Sequence, residues 1–147
     1  MANTLFPVFD ITEPAEEEEE QKYLPSAFFD FEKGDFALDG ARRIKEANGK
    51  DAFIQWCMKV VDTERDTCLA YSDDIGTEFE PIYGIRYRQE RENEIRDTIT
   101  DALMVHPCTE YVRNFRFKHV ADSCWVSFIV KGYDMDEALL STVINNQ

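Results

Sequence analysis

The chain has 147 residues, a length that fits one compact domain with its own hydrophobic core. Of these residues 44% are apolar and 13% aromatic, which excludes a largely disordered chain. The formal net charge of −14 disfavours nucleic acid and anionic membrane surfaces as partners, because binding phosphates takes clustered Lys and Arg. We therefore expect a soluble protein that binds neither nucleic acid nor membrane.

Residues 1–25 differ in composition from the rest of the chain. An apolar patch containing Phe6 and Phe9 precedes five consecutive glutamates at 16–20. Like charges in series repel one another and bury no apolar area, so the pattern predicts an extended acidic arm ahead of a single domain at 26–147. The arm is either a solvated tail or a segment that docks on a neighbouring subunit through its two phenylalanines. It has no signal-peptide pattern, which predicts synthesis in the cytosol.

The start of the domain predicts a small antiparallel meander. Residues 27–31 and 35–38 have the pattern of a hairpin that turns at Lys33 and Gly34. Residues 42–47 lie between two further glycine turns and predict a third short strand.

Two later segments carry the helical period of apolar residues. In residues 51–61 the apolar side chains, Trp56 among them, fall on one face and predict a buried amphipathic helix. Residues 86–104 predict a longer helix that ends before Pro107, because the residue preceding a proline is pushed out of the helical region. Residues 63–84, between the two helices, predict an irregular packed connector.

The C-terminal third returns to a strand pattern. Apolar and polar residues alternate in 111–120 and again in 124–131, which predicts two strands with one buried face each. Trp125 lies on the other face of its strand, which is either covered by the helices or open to a partner. Residues 139–144 are a third strand or a short helix. The predicted fold class is α+β, a small antiparallel sheet packed against two amphipathic helices.

The sequence offers no recognisable chemistry. The chain has two histidines, His106 and His119, and neither lies near a nucleophile motif, a phosphate-binding loop or a metal-binding spacing. The cysteines show no CxxC pair, so we interpret them as small buried hydrophobes, with a metal site as the alternative: Cys57, Cys68, Cys108 and Cys124. We predict no catalytic, cofactor-binding or metal-binding residues and no cofactor.

Nearly the whole chain, residues 5–134, nevertheless resembles a known family. The segments FDFEKGDFALDG, ANGKDAFIQWCMKVVDTERDTCLAYSDDIGTEFEPIYG, ALMVHPCTEYVRNFRF and WVSFIVKGYD are similar to the small baseplate wedge proteins of contractile-tailed phages and prophage particles. These proteins are similar in turn to sheath-initiating wedge subunits and to a baseplate component of type VI secretion.

The resemblance extends to single positions around the two helices. The family has a Thr-Gly-Glu-Arg-like stretch after the first helix and a glycine that closes an aromatic loop, and matching residues stand here at Thr63, Glu64, Arg65, Gly76, Tyr83 and Gly84. Its Glu-Pro-Arg motif at the end of the long helix is replaced by His106, Pro107 and Cys108. Only the proline is kept, so a charge-dependent contact at this motif is in doubt.

The resemblance implies a structural, non-enzymatic subunit of a tail baseplate that is assembled in the bacterial cytoplasm and repeated around a sixfold axis. Implied partners are other wedge proteins and the tail sheath protein, with hub or tube proteins as further candidates. Candidate partner-binding residues are Phe6 and Phe9 in the arm, His106, Pro107 and Cys108 after the helix, and Leu140, Thr142 and Ile144 in a strand that would pair with another chain. A cell-wall hydrolase and a cellular adaptor remain as alternatives, and an infectious phage is not distinguished from a tail-like bacteriocin.

Overall fold

The computed structural model describes residues 23–145. Two nested antiparallel ladders come first, each made of two-residue strands. The inner hairpin turns at Gly34, whose φ of 70° suits glycine, and this predicted hairpin is confirmed. The third predicted strand, 42–47, is shorter than expected because most of these side chains are exposed and no buried face supports a longer ladder. The strands are β1 (Ser26–Ala27), β2 (Phe29–Asp30), β3 (Asp35–Phe36) and β4 (Glu46–Ala47), in the pairs β1–β4 and β2–β3.

Three helices follow. Helix α1 (Lys50–Asp62) and helix α3 (Arg88–Met104) are the two predicted amphipathic helices, and α2 (Glu80–Tyr83) is a single turn that begins beside Pro81 in the otherwise irregular connector. The predicted stripe on α3 is confirmed, because Ile95, Ile99, Ala102 and Leu103 are buried.

The last three strands form one antiparallel sheet in the order β5–β6–β7. Strand β5 (Thr109–Val120) and strand β6 (Ser123–Gly132) are the predicted pair. Residues 139–144 lie within β7 (Ala138–Asn145), so the segment whose type the sequence left open is a strand. A β-bulge between Arg113 and Arg116, with Asn114 at a φ of 58°, shifts the alternation of β5 by one residue.

The core lies between the helices and one face of this sheet. Val126, Phe128 and Val130 on β6 have no exposed surface and pack with the buried stripes of α1 and α3. The opposite face, which we call the outer face, carries Lys118, Trp125 and Val143 as cross-strand neighbours on β5, β6 and β7. The predicted α+β class is confirmed.

The two tryptophans lie in different surroundings. Trp56 is at the border of the core rather than inside it, stacked on Phe53. Trp125 is 51% exposed, so the second face of β6 is not covered by the helices of the domain.

Candidate functional site

Strand β7 is an edge strand with no strand on its outer side among residues 23–145. Its sequence, ALLSTVIN, contains neither a charged residue nor a proline, the two devices that commonly block pairing at an edge. An edge of this kind leaves unpaired backbone N–H and C=O groups in a row. The arrangement can therefore accept a strand from another chain.

The predicted partner-binding residues of β7 hold the strand in place. Leu140 and Ile144 are only 7% and 5% exposed and belong to the core, so their side chains are unavailable to a partner and only their backbone can pair. The Thr142 hydroxyl donates a hydrogen bond of 2.9 Å to Oδ1 of Asp62, at the end of α1. Burial raises the pKa of Asp62, and the bond from Thr142 opposes that shift. These contacts fix β7 against α1 and the core.

Two of the three candidate partner-binding residues after α3 have a mainly structural role. The His106 ring packs edge-on against Trp56 at 4.6 Å between centroids, and its Nδ1 accepts a 3.0 Å hydrogen bond from the backbone N–H of Cys108. Burial lowers the pKa of His106, which agrees with a neutral ring whose Nδ1 is an acceptor. Cys108 is 2% exposed. Pro107 alone of the three is exposed, and Met104 lies exposed nearby.

Tyr23 ties the start of the described chain to this same region. Its ring packs 5.3 Å from that of Phe53, and its hydroxyl donates a hydrogen bond to the backbone oxygen of Tyr133. Burial is the main reason why the pKa of Tyr23 is raised to about 12. Phe6 and Phe9 lie outside the described residues, as does most of the predicted arm.

A clasp formed by Thr63, Arg65, Gly76, Thr77 and Glu78 closes the base of the loop between α1 and α2. The N–H of Thr77 donates to the oxygen of Thr63, and the N–H of Arg65 donates to the oxygen of Thr77, each at 2.9 Å. The Arg65 guanidinium adds bonds of 3.0 Å to the Glu78 carboxylate and 3.3 Å to the oxygen of Gly76. Three of these residues are among those singled out by the family resemblance.

The tip of the clasped loop carries exposed apolar side chains that sequence reasoning missed. Leu69 is fully exposed and Tyr71 is 42% exposed. Cys68 is also exposed, so the expectation of a buried residue is wrong at this position, because the loop projects away from the core. The other three cysteines are buried as predicted. An apolar tip on a fixed base is suited to contact with another subunit.

One group of side chains has the composition of a nucleophilic site. His119 pairs with Cys124 across the β5–β6 ladder, and its Nε2 lies 2.7 Å from a carboxylate oxygen of Glu92. Cys124 is 1% exposed, however, and burial raises the pKa of its thiol. Because the thiolate is the reactive form, this arrangement does not activate a nucleophile.

Metal binding and membrane insertion find no support in the described residues. Within residues 23–145 no three side chains of His, Cys, Asp or Glu are grouped so as to hold a metal ion. In the same range no helix combines the length and the apolar character needed to cross a bilayer.

Comparison with known families gives a match that covers most of the structure just described. The profile of the contractile injection system sheath initiator family matches residues 26–135, well over half of the chain. No curated protein matches the chain. The matched range begins at β1 and ends after β6, so it includes both long helices and the clasp. The chain therefore belongs to the contractile injection system sheath initiator family.

Proposed function

We propose that the protein is a baseplate wedge subunit that starts the tail sheath by pairing β7 with a strand of the sheath protein. The open, uncharged and proline-free edge of β7 is the observation that carries the proposal. In such β-augmentation the main-chain hydrogen bonds supply much of the affinity, and the side chains of the added strand supply specificity.

The strand is held ready for such pairing. Leu140 and Ile144 anchor its inner side in the core, and Thr142 bonds to Asp62 at the end of α1. A strand that is already ordered loses little conformational entropy when it binds, which favours association. The first sheath subunit would then extend a sheet that already exists in the free wedge protein.

A pair of proline variants tests the role of the edge. Successive residues of an edge strand direct their N–H groups alternately to the neighbouring strand and outward. Of Ser141→Pro and Thr142→Pro, one therefore removes a bond to β6 and destabilises the monomer, while the other removes an outward donor. We expect the variant that keeps the unfolding midpoint of the parent protein to abolish sheath nucleation in an electron-microscopy assembly assay.

Side-chain substitutions at the same two positions are the controls. Ser141→Ala and Thr142→Val keep every backbone donor, and Thr142→Val also reports on the loss of the bond to Asp62. Both should nucleate sheath. If the proline variant that folds normally also gives sheath of normal length, the edge is not the nucleation surface.

Further contacts would place the subunit among its neighbours in the baseplate. The loop tip at Leu69 and Tyr71 and the exposed surface at Met104 and Pro107 are the candidate surfaces for other wedge proteins, with hub or tube proteins as further candidates. In this proposal the subunit is part of the baseplate of a phage tail, a prophage particle or a tail-like bacteriocin, repeated around the sixfold axis and assembled in the bacterial cytoplasm. Pull-down of each neighbour with Leu69→Asp and Met104→Asp variants assigns the two surfaces.

The proposal includes the absence of catalysis. The best arrangement for covalent chemistry, Cys124 with His119 and Glu92, holds a buried thiol whose pKa is raised. We expect no clearing of peptidoglycan in a lytic zymogram. Clearing that disappears when one carboxylate is replaced by its amide would instead support the hydrolase alternative.

A further inference from the structure

The outer face of the β5–β6–β7 sheet is an exposed surface of apolar and cationic side chains. Trp125 is 51% exposed, Leu139 72% and Val143 38%. The strand register places Lys118 beside Trp125 and Trp125 beside Val143, so the three form one row across the sheet. Arg116 occupies the next outward position on β5. The surface is separate from the edge of β7, because side chains rather than backbone groups form it.

The charge of this face is opposite to that of the chain as a whole. The chain has 30 acidic residues against 16 basic ones, yet the side chains of Arg116 and Lys118 are exposed here without an ion pair or hydrogen bond to any other residue of 23–145. Two further cations on the face, Arg113 and Lys131, are paired with Glu137 and Glu110. Strands β6 and β7 contribute no acidic residue. A ligand that matches the free cations and Trp125 is an acidic segment that also carries apolar side chains.

The N-terminal arm has this composition. Residues 1–22 contain the glutamates at 16–20 and the apolar patch at 5–9 with Phe6 and Phe9. These 22 residues lie outside the described range. Both halves of the arm therefore have a counterpart on the outer face: carboxylates for Arg116 and Lys118, and apolar side chains for Trp125 and its neighbours.

The place where the arm leaves the domain favours a second copy as the source. Tyr23 packs against Phe53 on the helix side of the sheet, and a Cβ on Gly132 would lie 2.5 Å from its hydroxyl, so the arm departs at that end of β6. Because Tyr23 lies on the helix side, an arm that reached the outer face of its own sheet would first have to pass around the edge of that sheet. An arm from a second copy can approach the outer face directly.

We propose that the outer face of one copy binds the acidic N-terminal arm, residues 1–22, of a second copy of this chain. Carboxylates of the arm contact Arg116 and Lys118, and its phenylalanines contact Trp125 and Val143. The contact is electrostatic and exposed, so it weakens as salt is added. It is independent of strand pairing at β7, which uses another surface.

A charge-exchange experiment on the full-length protein tests this contact. One variant carries lysine at all five positions 16–20, and the other carries Arg116→Glu and Lys118→Glu. Sedimentation velocity over a range of concentrations measures self-association, and quenching by acrylamide, a neutral quencher, in a Trp56→Phe background reports the exposure of Trp125. We expect the parent protein to self-associate, each variant alone to associate at least tenfold more weakly, and an equimolar mixture of the two to recover association and protection of Trp125.

Controls separate this contact from general charge and folding effects. Arg42→Glu with Arg43→Glu makes the same charge change at two exposed residues away from the sheet and should leave association unchanged. Arg116→Gln with Lys118→Gln keeps polar side chains on the face and should give an intermediate loss, with circular dichroism checking the fold of each variant.

Two outcomes would overturn the proposal. One is a parent protein that stays monomeric at low salt with Trp125 fully quenched. The other is protection of Trp125 that does not depend on concentration and returns only when both charge reversals are in the same chain, which would place the arm on its own sheet.

Discussion

Substitution of Gly76 by alanine is expected to open the clasp and to destabilise the domain strongly. Gly76 has a φ of 117°, a conformation that side-chain-bearing residues rarely adopt. An added Cβ would lie 2.8 Å from the oxygen of Thr63 and 2.9 Å from the nitrogen of Arg65. Both are backbone atoms, and each itself forms one of the two 2.9 Å hydrogen bonds to Thr77, so neither can withdraw without loss of its bond.

The expected loss of stability is the sum of a conformational cost and a packing cost. A residue other than glycine in a left-handed conformation costs about 1–2 kcal/mol. Forcing an extra methyl group into a packed site costs about 1–3 kcal/mol, which gives a total of about 2–5 kcal/mol for Gly76→Ala. Because small domains are stable by only about 5–15 kcal/mol, this is a large fraction of the total.

Two other glycines provide matched controls for the assay, which is urea unfolding followed by circular dichroism. Gly34 has a φ of 70° but nothing within 4 Å of an added Cβ, so Gly34→Ala should incur only the conformational cost of about 1–2 kcal/mol. Gly40 has neither constraint, and Gly40→Ala should be neutral or slightly stabilising. The reasoning is refuted if Gly76→Ala is no more destabilising than Gly34→Ala.

Three further predictions concern stability and thiol reactivity. Burial lowers the pKa of His106 in the folded state, so its neutral ring stabilises the fold above the ordinary histidine pKa of 6.5. The free energy of unfolding should therefore fall as the pH drops below that value. Urea titrations should show a weaker pH dependence for His106→Gln. A thiol reagent should modify only Cys68 in the native protein and all four cysteines after unfolding, and rapid native reaction of a second thiol would contradict the described burial. Phe128→Ala should cost about 3–5 kcal/mol because Phe128 is fully buried, whereas Trp125→Ala on the outer face should cost far less, as urea midpoints would show.

The long elements were predictable because their patterns are local. Apolar spacing on α3 and alternation on β6 are properties of consecutive residues, and burial follows them closely. The type of residues 139–144 was not predictable, since a run of six mostly apolar residues fits a strand or a buried helical turn. Pairing with β6, a distant contact, determines that this segment is a strand.

Other features depend on distant contacts or on backbone irregularities, which the spacing of apolar residues does not reveal. The bulge near Asn114 makes Val112 rather than Arg113 face the core, and strict alternation from Phe115 would have predicted the reverse. The clasp joins residues 11 to 14 positions apart through backbone bonds, so the sequence alone showed only an irregular connector. Exposure of Leu69 follows from how that loop projects, which no local pattern specifies.

The open edge of β7 is the central element of the proposed function, and the structure of the assembled baseplate with its first sheath ring tests it most directly. The account predicts a strand of a sheath subunit hydrogen-bonded along β7, so that the β5–β6–β7 sheet gains a fourth strand across Ser141 and Thr142. A cryo-electron microscopy map in which this edge faces water, while sheath contacts the subunit elsewhere, would contradict the account even though the family membership would stand.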